Sequence, residues 1–324
     1  MKKLLFLFAA SICLLTSCNP KSSSVEPQIV IDPTLQSILA HHVNAIAEEI
    51  HPQWGLGCLM DLQSNTICAL HSTDTDNNYA LIDMEMGTIM LPFTVLSALN
   101  TNTIPLDTTF LHPAPVRIRD ANKYSDSDTT YQVRDIIAVS QGLLTDELVE
   151  IAFHDNPLLM QDFFYQSLGI QLSPNSQELS YQDLVNRSVG YHYTTTPLHL
   201  LSLYGKLALQ QLECDTAAQQ LICQGLHDVV WNNDLGTASV NLWGGRKAQS
   251  DIVSIAGKTG TVQVSENGTY TYNKHRISFV GYFPEDNPRY VCLVIINAPS
   301  RFPYDAGTTC GGCVRKIAED IYCQ

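Results

Sequence analysis

The chain has 324 residues, 45% of them hydrophobic, and sets 18 basic side chains against 32 acidic ones for a net charge of −14. A balance this acidic argues against nucleic-acid binding and against electrostatic adhesion to anionic lipid. The length can bury a substantial core, which points to one large domain or one domain carrying a helical subdomain.

The N-terminus reads "MKKLLFLFAASICLLTSCNP". Lys2 and Lys3 precede an apolar run, Leu4 to Leu15, that is shorter than the roughly 20 residues of a spanning helix, which is the pattern of an export signal. "LTSC" further fits a bacterial lipoprotein signal in which Cys18 becomes the acylated first residue; an ordinary cleaved signal or a short anchor is the competing reading. We therefore expect residues 1–17 as signal, 18–34 as a flexible tether rich in Ser and Pro, and 35–324 as the folded domain. Removing residues 1–17 takes away two lysines and no acid, so 18 basic residues become 16 against 32 acidic, a net of −16.

In chain order, "LQSILAHHVNAIAEEI" has the 3.6-residue spacing of an amphipathic helix. "WGLGCLMDL" and "TICALHS" read as strand, turn and strand. Ile89 to Asn100 reads as a buried helix with Pro92 in its first turn, where the missing N–H costs little. The middle is mostly helical, with apolar helical spacing in residues 131–153, 157–169 and 196–212. The last 75 or so residues return to strands. "DIVSIAGKTGTVQVS", "KHRISFVGYFP" and "RYVCLVIINAPS" form an antiparallel meander, followed by a helix at "CVRKIAEDIYCQ". The fold class is α+β: an antiparallel sheet packed by terminal helices, with a helical subdomain.

Ten cysteines are present. Cys13 leaves with the signal and Cys18 takes lipid. Cys58, Cys68 and Cys292 lie in apolar runs as buried free thiols, Cys214 and Cys223 are a candidate bridge, and Cys310 and Cys313 form a lone Cys-x-x-Cys. No spacing fits a zinc site, and we expect no metal and no cofactor.

The order of these segments, with "GKTGT" at Gly257 to Thr261 opening the meander, resembles the transpeptidase domain of penicillin-binding proteins, in the serine β-lactamase-like superfamily. The resemblance runs from about Trp54 to Tyr322 through "MGTIMLPFTVLSALN", "DIIAVSQG", "SVGYHYTTTPLHLLSLYGKLA" and "GTASVN…IAGKTGTVQVS", and is nearest to the division-type monofunctional transpeptidases. It implies acyl transfer through a serine, using Ser-x-x-Lys, Ser-x-Asn and Lys-Thr-Gly. This chain departs from that pattern. Thr88 stands at the nucleophile position and Leu91 at the base position; Ser140 remains, but Gly142 replaces the asparagine. Only Lys258, Thr259 and Gly260, followed by Thr261, are intact.

The resemblance and the departures from it thus imply a catalytically degenerate transpeptidase homologue, which the signal pattern at Cys18 places as a lipid-anchored protein of the cell envelope. It would bind a peptidoglycan stem peptide, a β-lactam or a cell-wall synthesis partner, with Thr88, Ser140 and Lys258 vestigial and Thr259, Gly260 and Thr261 forming a substrate site. A structural role for Thr88, as helix N-cap, and for the Lys-Thr-Gly stretch stays open beside it. So does an active D,D-transpeptidase or carboxypeptidase using Thr88, with Lys258, His192 or His275 as base. A third reading is a thiol-exchange lipoprotein acting through Cys310 and Cys313.

Overall fold

The computed structural model describes residues 27–101, 103–112, 116–118, 123–125, 127–172, 180–241, 244–266, 269–301 and 305–323. The expected signal, Cys18 and the first part of the tether lie outside the described residues. Within the rest of the tether, β1 (Gln28–Ile29) already pairs with Thr66 and Ile67.

Helix α1 (Pro33–Ile50) starts because Asp32 accepts from the Thr34 and Leu35 N–H groups at 2.8 and 3.0 Å, with Pro33 in the first helical position. It buries Leu39, Val43 and Ile50 and ends at His51 in the left-handed region. β2 (Trp54–Asp61) and β3 (Thr66–Ser72) form the expected hairpin. A 3₁₀ turn, Gly87–Met90, leads into α2 (Leu91–Asn100), in which every residue from Leu91 to Leu99 is buried.

The middle of the chain contains more than helices. β4 (Thr109–His112), β5 (Val116–Ile118), β6 (Lys123–Ser125) and β7 (Thr129–Gln132) make two short ladders, β4 with β7 and β5 with β6. Then come α3 (Asp135–Val139), α4 (Gly142–Phe153), α5 (Leu158–Asp162), β8 (Gln171–Leu172), α6 (Tyr181–Ser188), β9 (Tyr193–Thr194), α7 (Pro197–Ala208) and α8 (Thr216–Trp231). β10 (Ala256–Glu266), β11 (Thr269–Phe283) and β12 (Tyr290–Asn297) form the expected meander, and α9 (Gly312–Tyr322) closes the chain.

The main sheet has six strands in the order β1-β3-β2-β12-β11-β10. It is antiparallel except at β1, which runs parallel to β3. α1 and α9 cover one face. Its closeness shows at Gly57, where an added Cβ would stand 2.7 Å from the Val43 side chain. α7 covers the opposite face, with Gly205 fitted against Leu62 and Met60. β10 is thus left as an edge strand against the helical subdomain, and the site forms there.

Candidate functional site

Two glycines set the turn that carries Thr88. Gly87 has φ +64 and lies so close to β10 that a Cβ would meet the Thr261 carbonyl oxygen at 2.7 Å. Gly190, at φ +87, abuts Gly87 in turn; its Cβ would stand 2.1 Å from the Gly87 oxygen. The Tyr204 hydroxyl donates to the Ile89 carbonyl at 2.7 Å and holds the turn from below. The Thr88 hydroxyl, on that turn, donates to the Thr259 carbonyl at 3.4 Å. It caps no helix, because a 3₁₀ turn already runs through it, so the N-cap role expected of Thr88 is not realised.

Leu91, at the base position, is 1% exposed in the apolar interior at the head of α2. Ser140 ends α3 in the left-handed region, at φ 51, which breaks the continuous helix expected over residues 131–153. Gly142 opens α4 two residues later, and a Cβ there would have no heavy atom within 4 Å. The asparagine of the family pattern would project into that open space.

Lys258 is fully buried on the face of β10 turned to the helical subdomain. Its ammonium donates to Ser140 Oγ at 2.9 Å and to the Thr259 carbonyl at 2.9 Å. Thr88 and Lys258 therefore converge on one amide oxygen. Gly260 shares the Lys258 face, and a Cβ there would come within 2.5 Å of both Ile89 Cγ2 and Ser278 Oγ. Only glycine lets the turn and the strand approach this closely. Thr259 and Thr261 alternate to the other face. The Thr259 hydroxyl is 2.7 Å from that of Thr237, a residue that sequence reasoning missed although the quoted "GTASVN" contains it.

A cavity of about 1100 Å³ wraps this edge, lined by Thr88, Ser140, Thr237, Thr259, Thr261 and His275 among others. Thr88, Ser140, Thr259 and Thr261 so come together on one cavity, with the Lys258 ammonium bonded to Ser140 behind them, while Leu91 stays in the apolar interior. Of the substitute bases, His275 is on the cavity wall. His192 is not; its Nδ1 lies 3.5 Å from an Asp183 carboxylate oxygen. Glu85, just before the turn, is a second residue that the sequence did not announce. Its carboxylate accepts from the His192 N–H at 2.9 Å and from the Tyr270 hydroxyl at 2.9 Å, while Arg276 donates to its carbonyl at 3.0 Å. These bonds strap the β10–β11 hairpin to the segment that presents Thr88.

The cysteines correct two expectations. Cys214 and Cys223 are both free thiols. Cys310 and Cys313 are 0% and 1% exposed, and burial pushes both thiols up, Cys313 to about 12. A thiol exchanges as its thiolate from an accessible position; these two meet neither condition, and the thiol-exchange reading falls.

A family model described as the penicillin binding protein transpeptidase domain matches residues 55–321. The chain is 24% identical over 326 residues to a probable peptidoglycan D,D-transpeptidase PenA of Neisseria flavescens, covering 89% of this chain and 80% of that protein. To the protein of the same name from Neisseria meningitidis it is 23% identical over 327 residues, covering 89% of this chain but 55% of the relative, about half its length. In three dimensions it is similar to the transpeptidase domain of penicillin-binding protein 3 from Burkholderia pseudomallei, with a TM-score of 0.72 at 21% identity, covering 93% of this chain and 97% of that one.

Proposed function

Because the chain belongs to the penicillin-binding protein transpeptidase domain family, in its class B branch, we propose that it binds the carboxylate end of a peptidoglycan stem peptide or a β-lactam without acylation. Thr259 and Thr261 hold the carboxylate at the edge of β10, with the buried Lys258 behind the strand supplying positive charge. The protein is a lipoprotein of the bacterial cell envelope, anchored through Cys18, and serves cell-wall synthesis as a binding partner rather than as a crosslinking enzyme.

One observation carries the reading: among the described residues the Thr88 hydroxyl donates to an amide oxygen, and the base position holds a buried leucine. An amide oxygen accepts a hydrogen bond but does not take the proton, and a hydroxyl without a base is a poor nucleophile. Losing one member of a nucleophile–base unit costs roughly 10⁴ to 10⁶ in turnover. The other half of the reading rests on Thr259 and Thr261, which line the cavity, while the Lys258 ammonium buried behind them against Ser140 supplies positive charge that favours a carboxylate.

The test is fluorescent penicillin on the full chain. No adduct should survive denaturation, while reversible binding should show as a rise in anisotropy that unlabelled stem pentapeptide competes away. A denaturation-resistant band that disappears in Thr88→Ala would overturn the reading and establish Thr88 as the nucleophile. The anchor is checked separately: Cys18→Ser should move the protein from the membrane fraction to the soluble one.

A further inference from the structure

The edge of the sheet farthest from the site has a property of its own. Ile29, Val30 and Ile31 follow one another there at 54, 56 and 43% exposure. Edges of soluble sheets are ordinarily blunted by charge, proline or a covering element, and three consecutive β-branched apolar residues do the reverse. The segment is pinned in place. The Val30 N–H donates to the Ile67 carbonyl at 3.0 Å and the Asp32 N–H to that of Cys68 at 2.8 Å, so the side chains cannot turn inward without unpairing β3.

Position in the chain says what covers it. Cys18 precedes Gln28 by ten residues, a span of at most about 35 Å even when fully extended. This edge is therefore the part of the domain that reaches the membrane first. β1 and β10 are the two outer strands of the six, and five strand spacings of about 4.8 Å separate them by roughly 24 Å. The net charge of −14 leaves apolar contact as the workable mode of meeting a bilayer. A covalent anchor raises the local concentration of lipid enough for a small patch to act.

We propose that Ile29, Val30 and Ile31 form the surface on which the domain rests against the bilayer that holds Cys18, with the groove at β10 opening at the opposite edge, away from the membrane. This rests on the lipid anchor of the proposed function. Palmitate incorporation into the full chain, absent in Cys18→Ser, tests the anchor alone.

The contact is read by fluorescence of the lipidated full chain in phosphatidylcholine vesicles containing brominated acyl chains. Val30→Trp should add an emission that brominated lipid quenches at least twofold more than it quenches the parent's own three tryptophans, unchanged in 0.5 M salt. Leu143→Trp, somewhat more exposed at 63% but on α4 beside Ser140, should escape quenching. Equal quenching of both variants, or of Val30→Trp and the parent, would overturn the proposal. So would a concentration-dependent dimer of the Cys18→Ser chain that Val30→Asp abolishes, since a second copy would then be what covers the edge.

Discussion

Removing Lys258 decides whether the intact third motif is a strut of the fold or a ligand site. The lysine is 0% exposed and its ammonium donates to Ser140 Oγ and to the Thr259 carbonyl, each at 2.9 Å. Ser140→Ala takes one acceptor from a buried cation, and a charged group left short of a partner costs about 2–3 kcal/mol. Lys258→Met keeps the shape of the stem and removes the charge. Replacing buried charge by apolar volume is often neutral or stabilising by about 1–4 kcal/mol. The order is then the reverse of what a strut would give: Ser140→Ala lowers stability clearly, Lys258→Met does not, and the double variant recovers most of the Ser140→Ala loss. Urea unfolding with unchanged m reads these differences. Stem-peptide affinity should meanwhile fall about tenfold or more in Lys258→Met, equivalent to at least ~1.4 kcal/mol. If Lys258→Met unfolds as easily as Ser140→Ala and binds peptide like the parent, Lys258 holds the fold and the carboxylate site does not exist.

Three further outcomes follow from the same geometry. Thr88→Ser combined with Leu91→Lys returns the missing nucleophile–base pair to a backbone that already presents it, and a penicillin band at least ~100-fold above the parent is expected on denaturing gels; an unchanged gel would mean that more than these two side chains blocks acylation. Gly190→Ala combines positive φ with a Cβ 2.1 Å from the Gly87 oxygen, so a loss of about 3 kcal/mol or more should appear as a clearly lower melting temperature, and wild-type melting would contradict the close packing of the turn. The hydrogen bond that the His227 Nδ1–H donates to the Glu285 carboxylate raises the His227 pKa above 6.5 in the folded state, so this pair stabilises fully below pH 6.5 and loses its effect as pH climbs through the raised value. Glu285→Gln should therefore flatten the stability profile between about pH 6 and 8, and an unaltered slope would count against the pair.

Most of the framework was legible because its periodicities are strong. β2, β3 and the meander carry runs of β-branched residues between clear turns, and α1 and α9 keep a single apolar stripe. The misreadings have local causes. "DIVSI" has strand composition, yet the Ser250 hydroxyl accepts from the Ile252 and Val253 N–H groups and bends the chain, so β10 begins only at Ala256. α8 was the helix the sequence reading omitted, although Asp215 caps it by accepting from Ala218 and Ile222, Leu226, Val229 and Val230 recur at helical spacing. Cys214 and Cys223, spaced as for a bridge, instead place free thiols before the helix and within it. At the site, motif resemblance pointed to Thr88, Ser140 and Lys258, but Thr237, Tyr204 and Glu85 act across 22, 115 and 107 or more residues, separations no local pattern encodes.

What the chain has kept and what it has lost fall on different kinds of group. Relative to the family pattern, Thr88 and Leu91 stand in place of the serine and lysine, and Gly142 in place of the short amide. Kept is the close packing that brings turn and strand together: Gly87 against Thr261, Gly190 against Gly87, and Gly260 against Ile89 and Ser278. These contacts are indifferent to whether residue 88 is serine or threonine, and they hold the main chain of the site in place whether or not bonds are broken there. If the chain binds without acylating, as proposed, binding energy that an acylating relative turns toward its transition state remains as ground-state affinity. Such a complex forms and dissociates reversibly, and its lifetime is set by the off-rate rather than by hydrolysis of an ester. On that reading occupancy follows the local concentration of stem peptide, and binding leaves the peptide uncleaved.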